Sequence, residues 1–326
     1  MKQMVLAYIK LENGHLKSNT FNLIELANEI ALKNNMKTAA LVIGNCEEIF
    51  HKLHRCEVDY VYYINDKRFD NYNVNFYGPA ISYVFKKIDA SIFIAPTGSS
   101  ENEFLPWIAA DIKVPMISNV CGIEHADNMI LFKTFCFGGK AIVHITCEKD
   151  TAYVISCIVS NTKEGGGTRE KTPKIERILI PELKLKGLTL ETIENDFAIA
   201  DISDVNIVIS GGRGMKDRHG FDLLRKLAVK FGGAVGATRR AVDENMAEQY
   251  MQIGKTGKII SPDLYFACGV SGASQHLAGI LSSKIIVAIN NDKLAPIFNN
   301  ADYGVIGDAP EIIKSIIELT EKKDIN

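Results

Sequence analysis

No uncharged apolar run in this chain approaches the roughly 18 to 20 residues that span a bilayer. Segments such as Ile142 to Ile145 and Ile285 to Ile289 are far shorter, so membrane insertion is not expected. The opening stretch MKQMVLAYIK has no long apolar leader, small-residue cleavage site or Arg/Ser-rich amphipathic segment. It implies a cytoplasmic protein, or one of the mitochondrial matrix if a leader has been removed. An excess of either charge is also missing. The formal net charge is −2 over 326 residues, with no clustered basic face to attract nucleic acid. Closely spaced cysteines are lacking too. The seven, Cys46, Cys56, Cys121, Cys136, Cys147, Cys157 and Cys268, stand ten or more positions apart, several within strand-like runs such as HITCEK and VISCIV. They imply small buried hydrophobes in a reducing compartment and not a disulfide framework or a zinc site. HKLHRC places His51 and His54 one helical turn apart near Cys56, but a metal would need a third ligand from elsewhere, and none is expected.

What is present is the pattern of an α/β protein. The length favours two domains, and 47% apolar with 23% charged residues is ordinary for globular chains. MVLAYIK and TAALVIGN look like strands around a helix, NLIELANEIALKNN, whose Leu23, Ile24, Ala27, Ile30 and Ala31 recur at helical spacing. DYVYYIN, ASIFIAPTG and VPMISNVCG extend the series, with helices expected near Ala80 to Lys87 and Phe104 to Asp111. Strands apolar on both faces imply a mainly parallel sheet flanked by helices. From Met129, three strand-like runs joined by short turns predict an antiparallel extension of that sheet. SNTKEGGGTREKTPK reads as a mobile loop. A fresh α/β pattern begins near Asn195, dividing the chain into domains at 1–194 and 195–326. In the second, NIVISGGRG is a strand ending in glycines, GFDLLRKLAVKFGG a helix, AVGATRRAVDE a strand and turn, and APEIIKSIIELTEKK a closing helix.

Two motifs are near misses. Gly254-Lys255-Thr256 ends a phosphate-binding P-loop, but Gln249 stands where its first glycine belongs, and GKIISPDLY looks like a strand where a helix should start. GVSGA, residues 269 to 273, approximates a nucleophile elbow. The last histidine, His276, follows Ser271 by only five residues, so a downstream acid and then a histidine cannot both follow. No catalytic nucleophile or base is expected. SGGRG, residues 210 to 214, lies between a strand and a helix: either a cradle for a dinucleotide phosphate with Arg213 as its cation, or simply a tight turn. GATRRAVDE, GVSGASQHLAG and AINND add polar groups at further strand ends, the way an open parallel sheet holds an extended anionic ligand.

GATRRAVDE, MQIGKTGKIISPDLYFACGVSGASQHLAG, SKIIVAINNDKLAPIFNNADYGVIGD and the final helix, in that order, resemble the FAD-binding domain of the electron transfer flavoprotein alpha subunit over about residues 205 to 320. FCFGGKAIVHI in the first domain is similar to the same family, while APTGSSENEFLPWIAADI departs from it. The resemblance implies a Rossmann-like second domain holding one FAD, a first domain contacting a beta subunit in a heterodimer, and electron transport without catalysis. Its donors would be dehydrogenases, such as the acyl-CoA dehydrogenases of fatty acid beta-oxidation, and its acceptor a quinone reductase or similar protein. Alternatives are an electron-bifurcating member reduced directly by NADH, or an NAD(P)-binding oxidoreductase component. By position, the resemblance sets Gly212 and Arg213 along the FAD diphosphate, Thr238 and Arg239 by the flavin, and the Thr256 hydroxyl at flavin N5. It sets Gln252 near the pyrimidine edge, Ser271 and Gln275 at the ribityl and phosphate region, and His276 as a donor at the flavin C2 carbonyl. Asn290 and Asp308 would hold the adenosine end, with Gly254, Gly257, Gly272 and Ala273 also on the cofactor. With the P-loop glycine absent, magnesium-dependent ATP hydrolysis by the purified protein is expected to stay at buffer background; turnover above it contradicts this reading.

Overall fold

The computed structural model describes residues 4–12, 15–17, 19–44, 50–53, 57–126, 129–148, 151–159, 172–183, 202–203 and 205–323. The side chain of His51, all of His54 and Cys56, the three-glycine loop and the boundary expected at Asn195 lie outside the described residues. Two compact units emerge, Met1–Thr134 with Val143–Ala198, and Phe135–Ile142 with Ile199–Asn326. The short segment at Phe135 belongs to the second unit although it falls within the first half of the chain.

The first unit begins with β1 (Met4–Ile9), a small hairpin of β2 (Leu11–Glu12) and β3 (His15–Leu16), α1 (Thr20–Lys33), β4 (Lys37–Ile43), the single turn α2 (Phe50–Leu53) and β5 (Tyr60–Ile64). It continues through α3 (Val74–Lys87), β6 (Ile92–Pro96), α4 (Ser99–Ile112), β7 (Met116–Ala126), β8 (Met129–Cys136), β9 (Ala141–Ile145), β10 (Tyr153–Cys157) and β11 (Lys174–Arg177). Every residue of β1 is buried. Leu6 and Tyr8 enter one core while Val5, Ala7 and Ile9 enter the other, the two-residue alternation of a strand covered on both faces. The apolar stripe of α1 buries as its spacing predicts, through Leu23, Ile24, Ala27, Ile30 and Ala31.

The strand order is β11-β5-β4-β1-β6-β10-β7-β8-β9. The antiparallel extension forms only in part. β8 pairs antiparallel with β7, but β10 returns to the middle of the sheet, parallel to both β6 and β7. Short turns predict local reversal without saying which strand the chain meets next. Burial decides that: all of Tyr153–Cys157 is buried, as a central strand must be, whereas β9 is exposed along most of its length.

The second unit contains β12 (Ile207–Gly211), α5 (Arg218–Phe231), β13 (Ala234–Thr238), α6 (Arg239–Asp243), β14 (Gln252–Ile253) and β15 (Leu264–Cys268). α7 (Ser274–Leu277), β16 (Ile285–Asn290), β17 (Tyr303–Ile306) and α8 (Ala309–Lys323) follow. Its strands run in the order β14-β13-β12-β15-β16-β17 and are parallel throughout. The chain winds outward from β12 to β14, then restarts at β15 and winds the other way. Connections therefore leave β12 and β15 in opposite directions, and a crevice opens above their carboxyl ends. α5 starts where the Asp217 carboxylate accepts the Gly220 N–H at 2.9 Å. It buries Phe221, Leu224, Leu227 and Ala228 against the sheet. The strand expected after Thr256 is absent: Lys258 makes one isolated bridge to Ile253, and regular pairing resumes only at β15, beyond Pro262. GATRRAVDE ends in the one-turn helix α6 and not in a plain turn.

Phe221 is fully buried, so Phe221→Ala is expected to destabilise the second unit by roughly 3–5 kcal/mol. Faster hydrogen exchange at the amides of α5 and β12 is the measurement, and unchanged protection there contradicts it.

Candidate functional site

The crevice at the crossover opens into a cleft of ≈ 720 Å³, within the roughly 300–1,000 Å³ typical of ligand pockets. Two loops make its floor. The turn after β12 and the turn after β15 interlock through backbone: Gly212 N–H donates to the Cys268 carbonyl at 2.9 Å and Gly214 N–H to the Gly269 carbonyl at 3.0 Å. A Cβ on Gly269 would stand 2.6 Å from the Gly214 Cα, and Gly269 also has φ +63, so a side chain there faces both a collision and backbone strain. The SGGRG glycines thus serve a close backbone approach, with exposed Arg213 beside it.

Gly212, Arg213, Thr238, Arg239, Gly254, Thr256, Ser271, Gly272, Ala273, Gln275, His276 and Asn290 all line this cleft. Gln252, Gly257 and Asp308 do not, and the bonding explains each. Buried Gln252 donates through Nε2 to the Thr256 hydroxyl at 3.0 Å. That leaves the hydroxyl proton of Thr256 free for another acceptor. Gly257 closes the turn behind the wall, its N–H donating to the Gly254 carbonyl at 3.0 Å. Asp308 pairs with Lys216 at 2.6 Å and accepts the Glu311 N–H at the start of α8. The Lys216 ammonium holds its carboxyl below the usual range. Asn290 lines the cleft but spends its amide internally, donating to the Val270 carbonyl at 2.8 Å and accepting the Asp292 N–H at 2.9 Å.

His276 departs most from expectation. Its Nδ1 lies 3.1 Å from the Ile253 carbonyl and its Nε2 2.7 Å from the Tyr265 hydroxyl. A carbonyl only accepts, so Nδ1 carries the proton and Nε2 accepts from Tyr265. Burial lowers the imidazole pKa to about 4, opposed by the bond to Ile253. The ring is neutral near pH 7 and both nitrogens are engaged by neighbouring residues. Lys255, Arg240, Gly214, Gly269, Asn291, Asp292 and Pro296 also line the cleft. For Lys255 and Asp292 the signal was available, since they sit inside the GKT tripeptide and the AINND stretch already singled out; for Pro296 no local motif marked it.

Two family models match: an electron transfer flavoprotein domain over residues 5–182 and an electron transfer flavoprotein FAD-binding domain over residues 201–281. The chain is 31% identical to an electron transfer flavoprotein subunit alpha of Bacillus subtilis over 100% of its own length and 99% of that protein's. The chain belongs to the electron transfer flavoprotein family, as an alpha subunit. It is also 32% identical to the mitochondrial alpha subunit of Arabidopsis thaliana, covering 96% of this chain and 88% of that one. To a Clostridium saccharobutylicum protein named Protein FixB it is 30% identical, covering 96% and 95%. The electron transfer flavoprotein cofactor FAD suits the cleft. The crossover is free of side chains, Arg213 beside it has no ion pair among the described residues, and Ile253, Val270 and Ala295 supply apolar wall, a lining that fits an extended anionic cofactor. Among the described residues no group of three or more His, Cys, Asp or Glu could hold a metal, and no helix is long and apolar enough to cross a membrane.

The His276 shift has a definite sign. The unfolded chain binds the proton near pH 6.5 and the folded chain only near 4. The contribution is therefore complete above about pH 6.5 and lost as pH falls toward 4, amounting to roughly 3 kcal/mol. Urea midpoints of the wild type and His276→Gln between pH 7 and 4 are expected to show a shallower acid decline in the variant; parallel declines contradict a buried neutral imidazole.

Proposed function

We propose that this chain, paired with a beta subunit, holds one FAD in its second unit and shuttles electrons from dehydrogenases, such as acyl-CoA dehydrogenases, to a quinone reductase or similar acceptor. The observation that carries the reading is the interlocked crossover at the foot of a cationic cleft, in a chain matched from end to end by electron transfer flavoprotein alpha subunits. Bound FAD supplies a carrier that takes up and gives up electrons. The protein binds it, orients it and sets the field around it, so no general base or nucleophile is required.

In this reading Arg213 offsets the diphosphate at the crossover, and Ser271 with Gln275 offer polar groups along the exposed rim of the loop after β15. Thr238 caps α6, its Oγ1 accepting the Ala241 N–H at 3.4 Å, and so directs Arg239 to the cleft mouth. Arg239 remains a tethered cation, 3.5 Å from Asp243. Gln252 is a positioning residue: by donating to Thr256 it leaves that hydroxyl a proton to present to flavin N5. His276 closes the wall as a neutral ring braced by Tyr265, where the family resemblance had implied a donor. Asn290 and Asp308 shape the β16–β17 end through internal bonds, and the second N–H of the Asn290 amide is left for the adenosine end of the cofactor.

Co-expression with the beta subunit is expected to yield a heterodimer with flavin absorption, bleached by a reduced dehydrogenase and not by NADH alone. Colourless protein overturns the FAD reading, and direct bleaching by NADH replaces the simple carrier with a bifurcating one. Thr256→Ala is expected to keep FAD but move its midpoint potential by the equivalent of one hydrogen bond, roughly 0.5–1.5 kcal/mol. Thr256→Ser should restore it, and identical titrations for all three proteins contradict a role for the hydroxyl.

A further inference from the structure

The lysine of the Gly254-Lys255-Thr256 tripeptide has no task in the reading above, yet it lines the cleft. Its backbone is held from three sides. Gly257 N–H donates to the Gly254 carbonyl at 3.0 Å, closing a four-residue turn, and Gly254 N–H donates to the Lys258 carbonyl at 3.1 Å. Lys255 N–H itself donates to the Gln275 carbonyl at 2.8 Å, tying the turn to α7. Gly254, at φ +134, lies so near that a Cβ there would stand 2.7 Å from the same carbonyl oxygen. The turn is pinned between β14 and α7, and the Lys255 side chain extends from a fixed root.

Its charge also differs from that of its neighbours. Four cations line the cleft: Arg213, Arg239, Arg240 and Lys255. Arg239 is 3.5 Å from Asp243 and Arg240 3.4 Å from Glu244, each tethered to an acid four positions on. Lys255 has no ion pair among the described residues. Arg213 is unpaired as well, but it stands at the crossover, beside the expected diphosphate. Lys255 stands beyond β14, whose Ile253 is in register with Thr238 of β13. It therefore shares the far end of the cleft with Thr238 and Thr256, the end assigned to the flavin ring.

We infer that Lys255 is a fixed cation that raises the midpoint potential of FAD held in this cleft by stabilising the negative charge the flavin gains with an electron. The inference rests on the FAD reading and adds a residue to it. A lysine suits the task because its ammonium is a compact point charge that needs no planar partner. In a partly desolvated cleft, one unit charge about 10 Å from the site of charge gain changes such an equilibrium about fivefold or more, and salt weakens the effect.

The test uses the FAD-loaded complex with its beta subunit, as wild type, Lys255→Gln and Lys255→Arg. Each is reduced with dithionite as the electron source against a reference dye, at low and high salt. Lys255→Gln is expected to retain FAD and lower the equilibrium constant for electron uptake at least about fivefold at low salt, less at high salt; Lys255→Arg should stay within about twofold of wild type. A wild-type potential in Lys255→Gln overturns the inference. So does loss of FAD with an unchanged potential in the fraction still bound, which would make Lys255 a phosphate ligand. Absence of flavin from the wild-type complex is a different result, and it defeats the FAD reading itself.

Discussion

The contact on which the second unit depends is backbone against backbone. Where β12 and β15 end, the Gly212–Gly214 turn and the Gly269 turn lie within hydrogen-bond distance, with no side chain between them. This contact fixes the spacing of the two loops that leave the sheet in opposite directions, and so fixes the floor of the cleft. The β13–β14 end, with Thr238 and the Gly254–Gly257 turn, and the β16 end, with Asn290, are then placed by strand register and by the bonds of Lys255 N–H to the Gln275 carbonyl and of Asn290 to the Val270 carbonyl. A methyl group at the crossover would collide with the facing loop and separate the two.

The polar residues around the cleft divide into two sets. One set is consumed inside the protein: His276 between Ile253 and Tyr265, Gln252 on Thr256, Asn290 on Val270 and the Asp292 N–H, Asp308 on Lys216. These bonds give the wall its shape, because a buried polar group without a partner is costly. The other set faces outward, with Arg213, Ser271 and Lys255 exposed at the cleft. An electron carrier needs this division. Fixed groups set the field around the flavin without reorganising when its charge changes.

Much of this was legible in the residues. The helix of Leu23 and Ala31, the strands β1, β4, β5 and β6 and the helix of Phe221 all follow from the period of their apolar positions. The cleft was legible as a set of strand ends, since glycines and small polar residues follow β12, β13 and β15 in turn. What misled was always non-local. Tyr153–Cys157 looked like the last strand of an antiparallel run and proved central. KIIS looked like a strand but finds no partner beyond one bridge at Lys258. The internal contacts of His276 were not legible because its two bonding partners, Ile253 and Tyr265, are 23 and 11 positions away.

The sequence by itself determined most of the elements, the mainly parallel character of both sheets and the family, because periodicity and short motifs depend on neighbours within a few residues. Only the tertiary structure decided which strand lies beside which, which polar groups are consumed internally and which cations of the cleft have an ion pair among the described residues. Those outcomes depend on contacts between distant segments, where burial and hydrogen-bond satisfaction select one arrangement among several that the local pattern allows.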